Sequence, residues 1–68
     1  MTDAQQRVML YLTRMYKAHE GLQDAEAIYR ACRVGPRTLL VLERTGHIWK
    51  WDTGKWSISM GTIREEGA

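Results

Sequence analysis

Apolar side chains recur between Asp3 and about Ala18 at Val8, Leu12 and Met15 and continue to His19, while Gln5, Gln6, Arg7, Arg14 and Lys17 fill the remaining arc. Spacings of four, three and four belong to an amphipathic helix. Thr2 followed three positions later by Gln5 is a capping-box pattern at its start, and Gly21 reads as its stop. Asp24 is the expected N-cap of a second helix, AEAIYRACR, with Ala25, Ile28, Ala31 and Cys32 as its inward stripe. Gly35 is then expected to permit a tight turn. Pro36 suits the first position of a third helix, where its fixed φ and missing amide cost nothing. That helix is expected over residues 36–45, ending at Gly46, with Leu39 and Leu42 on one side and Arg37, Leu40, Val41 and Arg44 on the other.

Beyond Gly46 the period falls to two. His-Ile-Trp-Lys-Trp and Trp-Ser-Ile-Ser flank Asp52-Thr53-Gly54-Lys55, which predicts two strands joined by a turn. The favoured register sets Trp51 opposite Trp56, Trp49 opposite Ile58 and Lys50 opposite Ser57, so that one surface is aromatic and the other polar. Residues from Met60 onward contain few apolar side chains and two glycines. They divide the chain into a domain over residues 1–60 and a flexible tail over 61–68.

At 68 residues and 7.9 kDa the chain reads as one small domain or a fragment of one, with an ordinary apolar share of 44% that favours a folded unit over a disordered one. No apolar run is long enough to span a bilayer, and the N-terminal segment lacks an export pattern, so a cytoplasmic protein without a membrane partner is expected. One cysteine and two histidines offer neither a disulfide nor zinc-type spacing, so no metal or other cofactor is expected. Cys32 reads as a small hydrophobe. Glu65 and Glu66 lie in the tail, and no nucleophile, base and carboxylate set shares a pocket, so the chain is not expected to be an enzyme.

The net charge of +2 says little, but its distribution says more. Residues 1–26 carry three basic and four acidic groups, whereas residues 27–60 carry six basic and two acidic. Arg30, Arg33, Arg37, Arg44, Lys50 and Lys55 fall within 26 residues, the footprint of a polyanion binder if the fold gathers them and of a solvated surface if it does not.

The order helix, helix, tight turn, helix, hairpin carries a resemblance. AEAIYRACRVGPRTLLVLERTGHIWKWDTGKWSIS, with its Leu42-Glu43-x-x-Gly46-x-Ile48 run, resembles winged helix-turn-helix DNA-binding domains. The resemblance implies an α+β fold, a three-helix winged helix-turn-helix with a C-terminal β-hairpin wing. It also implies a double-stranded DNA partner, with helix 36–45 in the major groove and the 47–59 hairpin against the backbone. Carried over by residue, Arg37, Thr38, Val41 and Arg44 face base edges and nearby phosphates, Arg33 adds charge at the turn, and Lys50, Thr53 and Lys55 lie on the wing. Arginine suits the acceptors of guanine, and an aliphatic such as Val41 suits a thymine methyl.

Two functions follow. The first is a small transcriptional regulator that binds duplex DNA as a homodimer, since one module this size makes few contacts. The second is a winged-helix module that holds a protein partner, such as a small viral inhibitor of a host protein. It would use Trp49 and Trp51 or the apolar face of the third helix. Leu40 and Val41 fit either, and fit burial in the core as well.

Overall fold

The structure, a computed structural model, describes residues 1–59. The tail expected over residues 61–68 lies outside them. The fold is α+β. Helices α1 (Asp3–Lys17), α2 (Ala25–Cys32) and α3 (Pro36–Arg44) combine with strands β1 (Gln23–Asp24), β2 (Ile48–Lys50) and β3 (Lys55–Ile58) in an antiparallel sheet of order β1-β3-β2.

Helix α1 begins as the sequence predicts. The Gln5 amide donates to Thr2 Oγ1 at 3.2 Å and the Thr2 amide donates to Gln5 Oε1 at 3.1 Å, a complete capping box. Its end differs. The left-handed residue is His19 (φ 63°), and the Glu20 amide closes the last turn by donating to the Met15 carbonyl, so Gly21 is not the stop. Val8 and Leu12 are fully buried; Met15 is half-buried and His19 lies outside the helix, exposed.

Helix α2 departs at both ends. Asp24 precedes it without capping it, because its carboxylate is drawn to Lys55. Ile28 and Cys32 are buried, Ala25 is half-buried, and Ala31 faces solvent. At the corner, Gly35 has an ordinary φ of −107°, and Arg33 takes the left-handed conformation (φ 56°, ψ 51°). The Val34 amide donates to the Tyr29 carbonyl across this step, as at a helix end closed by a left-handed residue. Pro36 opens α3, and Gly46 (φ 84°) ends it with its amide on the Glu43 carbonyl.

All three helices and the inner sheet face share one core: Val8, Leu12, Ile28, Cys32, Leu39, Leu42, Ile48, Trp56 and Ile58. Helix α1 runs through the middle, touching α2, α3 and β3. A reciprocal clasp fixes it to α2, since Arg7 Nε donates to the Cys32 carbonyl at 2.9 Å and Cys32 Sγ lies 3.6 Å from the Arg7 carbonyl. Burial raises the Cys32 thiol pKa and outweighs the lowering effect of Arg7, so the thiol stays protonated.

The sheet corrects two expectations. Strand β1 has no counterpart in the sequence pattern; it pairs Gln23 with Trp56 and Asp24 with Lys55. The hairpin register is one residue from the expected one: Ile48 pairs with Ile58, Trp49 with Ser57 and Lys50 with Trp56. The cause is the loop. Asp52, Thr53 and Gly54 alone form it, with the Gly54 amide on the Trp51 carbonyl, Gly54 at φ 85° and the Trp51 amide on the Lys55 carbonyl. A left-handed glycine closing a three-residue loop sets Trp51 opposite Lys55. Ile48, Lys50, Trp56 and Ile58 therefore share the inner face, and Trp49, Trp51 and Ser57 the outer one.

Candidate nucleic-acid interface

Helix α3 has one buried edge, made by Leu39 and Leu42, each about 1% exposed. Everything else on it follows from that constraint. Arg37, Val41 and Arg44 repeat at spacings of four and three and form a single stripe on the opposite side. Both arginines are exposed, Val41 and Thr38 are half-exposed, and Leu40 lies alongside in solvent. The four-residue apolar run thus divides into two core leucines and two outward aliphatic residues. Among the described residues neither Arg37 nor Arg44 forms an ion pair.

Arg33 precedes this stripe at the exposed left-handed step, one short turn from Arg37. The first turn of α3 contains no acidic residue, and Gly35 supplies no side-chain cap. The partial positive charge of the helix start is therefore joined by two guanidinium groups, an arrangement unfavourable for the isolated domain and favourable once an anion is present.

The hairpin contributes less charge than its sequence implies. Lys55 Nζ lies 2.8 Å from Asp24 Oδ1 across the β1–β3 pair. Asp52 and Thr53 are exposed at the loop. Lys50 extends over the Trp56 ring, with Nζ 5.8 Å from the centroid, a cation–π contact that leaves the ammonium at the surface. Lys50 is the one hairpin lysine whose charge no carboxylate offsets among the described residues.

The outer sheet face is a different surface. Trp49 is 56% exposed and Trp51 48%, in edge-to-face contact with centroids 6.4 Å apart. Trp51 Nε1 donates to Ser57 Oγ at 2.9 Å, which ties the indole to strand β3. Leu22 and Tyr16 continue the apolar surface, and the whole borders an open groove of about 850 Å³ that also reaches Glu43 and Lys50. The one-residue register difference is what exposes both indoles, because the expected pairing would have placed them beside Trp56 and Ile58.

Among the described residues no group of three or more His, Cys, Asp and Glu side chains could hold a metal ion, and no helix is long and apolar enough to cross a membrane. No family model, curated protein or solved structure matches the chain.

Proposed function

We propose that this domain is a winged helix-turn-helix that binds double-stranded DNA and acts in transcriptional regulation in the cytoplasm. Helix α3 enters the major groove and the hairpin serves as the wing. The observation that carries the reading is the stripe Arg37, Val41, Arg44 on the solvent side of α3, with both guanidiniums unpaired among the described residues. A planar donor fork flanking an aliphatic contact suits guanine edges beside a thymine methyl. Arg33 and the start of α3 supply phosphate contacts, Thr38 flanks the stripe, and Lys50 and Thr53 extend the contact from the wing. The arginine side of the domain dominates, because Lys55 is committed to Asp24.

The test is a titration of labelled random-sequence duplex with the 68-residue chain at about 50 and 200 mM salt. Contacts to roughly four phosphates weaken binding about a hundredfold across that range. Arg37→Ala and Arg44→Ala each reduce affinity and relax base preference in a selected duplex pool. Equal binding at both salt concentrations, or unchanged binding by both variants, excludes the reading.

The exposure of Trp49 and Trp51 favours a second reading, a winged-helix module that holds a protein through the outer sheet face. Binding of that kind is carried by apolar burial and changes little with salt.

A further inference from the structure

Among the described residues strand β2 is an open edge of the sheet, and its hydrogen-bonding phase is fixed by its neighbour β3. The Ser59 amide donates to the His47 carbonyl and the Trp51 amide donates to the Lys55 carbonyl, so residues 47, 49 and 51 direct their backbone groups toward β3. Ile48 and Lys50 direct theirs away from it, and among the described residues the strand order β1-β3-β2 places no strand beyond. An open edge with large aromatic side chains beside it is a template for another strand.

The geometry points to a second copy of this chain as the occupant: β2 pairs antiparallel with β2 of the other copy about a twofold axis at Trp49, making a continuous six-stranded sheet. That register matches Ile48 of one copy with Lys50 of the other, so the four outward-directed backbone groups on each side exchange hydrogen bonds. Trp49 meets its own counterpart as a non-hydrogen-bonded pair, the closer of the two antiparallel spacings, on the outer face where Trp51 already packs against it.

Charge selects this arrangement. Lys50 lies on the inner face at the far end of β2, and Glu43 lies at the end of α3 just before β2 begins; both are exposed and border the same groove. Antiparallel pairing carries Lys50 of each copy toward the start of β2 in the other, next to Glu43 and the carbonyl end of α3, where a cation is favoured. Parallel pairing through the same edge would turn one sheet over, placing Lys50 of one copy and Glu43 of the other on opposite faces. A lysine on an edge strand deters indiscriminate pairing, and here it leaves open the one register that supplies it with a carboxylate. Three-residue strands bury less than a standard interface, so the dimer is weak and depends on concentration.

Sedimentation equilibrium and amide exchange by NMR on the 68-residue chain test this directly. The mass is expected to rise toward twice the monomer value by about 1 mM. The Ile48 and Lys50 amides should become protected over the same range, while the Trp49 amide, bonded to β3, is protected throughout and serves as the control. Glu43→Lys and Lys50→Glu each weaken association tenfold or more, and the two together restore it. A monomer at every concentration, a dimer whose Ile48 and Lys50 amides stay unprotected, or a charge exchange that restores nothing would overturn the proposal.

Discussion

Asp24 Oδ1 and Lys55 Nζ lie 2.8 Å apart, joining the strand that precedes α2 to the hairpin. Both groups are substantially exposed, so the pair adds at most about 1 kcal/mol to stability. Its larger effect is electrostatic, because it cancels one of the two hairpin lysines where a polyanion would approach.

Asp24→Ala is therefore expected to tighten duplex binding and to steepen its salt dependence by about one counterion. Lys55→Ala should leave the salt dependence nearly unchanged, unlike Arg37→Ala. Fluorescence anisotropy at several salt concentrations measures both slopes. A Lys55→Ala loss equal to that of Arg37→Ala would show that the ion pair opens on binding and that the hairpin carries as much of the contact as α3.

Gly54 fixes the hairpin register through its φ of 85°, although a Cβ there would meet nothing within 4 Å. The cost of a side chain is thus conformational and not steric. Gly54→Ala should destabilise the domain by about 1–2 kcal/mol and Gly54→Asn by less, since Asn tolerates the left-handed region. Thermal unfolding followed by circular dichroism distinguishes them, with each kcal/mol lowering Tm by about 4–8 °C in a domain this small. Equal losses from the two variants would mean that contacts of the new side chain set the cost.

What the sequence disclosed divides along a physical line. The start of α1, the Pro36 entry to α3, the Leu39 and Leu42 edge and the Gly46 stop are each determined by residues within one or two turns, and all are found where the pattern places them. Strand β1 is held instead by groups distant in sequence. Tyr11 Oη donates to Gln23 Oε1 at 2.9 Å, and Asp24 meets Lys55. Two polar residues give no period from which to read a strand. The hairpin register depends on whether Lys55 belongs to the loop or the strand, a distinction alternation alone does not make and the left-handed Gly54 does. The arginine stripe of the candidate interface was legible because helical spacing decides which residues share a face. The loss of Lys55 to Asp24 was not, since it arises from a strand the pattern did not reveal.

Tyr11 links these tertiary contacts to pH. Burial, reinforced by Cys32 and Glu20, raises its pKa above the usual 10.0, and its hydroxyl donates to Gln23 only while protonated. The folded chain holds this proton more tightly than the unfolded one. Its contribution to stability is therefore fully present below pH 10.0 and is lost as pH rises through the higher folded value. The Cys32 thiol, raised above 9.0, acts in the same direction. Tyr11→Phe should cost about 1 kcal/mol at neutral pH through the lost hydrogen bond and should flatten the alkaline decline. Urea unfolding midpoints at about pH 8 and pH 11 test the sign, and an unchanged difference between them in the variant would assign the decline to other groups.

Arg33 carries a conformational penalty at the place where the candidate interface gains from its charge. A non-glycine residue at φ 56° costs roughly 1–2 kcal/mol relative to a helical or extended one, and the neighbouring Gly35, at φ −107°, does not take over that step. A chain under pressure only for stability would place glycine at position 33. Arg33→Gly is expected to raise Tm by several degrees by relieving the backbone, and to lower duplex affinity with a shallower salt slope by removing a guanidinium beside the start of α3. Arg33→Asn separates the two effects, because it removes the charge while keeping a residue tolerant of the left-handed region. It should match the glycine variant in binding and fall between glycine and arginine in stability. If both variants gain stability and bind duplex as the parent does, Arg33 is strained for a reason unrelated to nucleic acid, and the interface contracts to the Arg37, Val41 and Arg44 stripe.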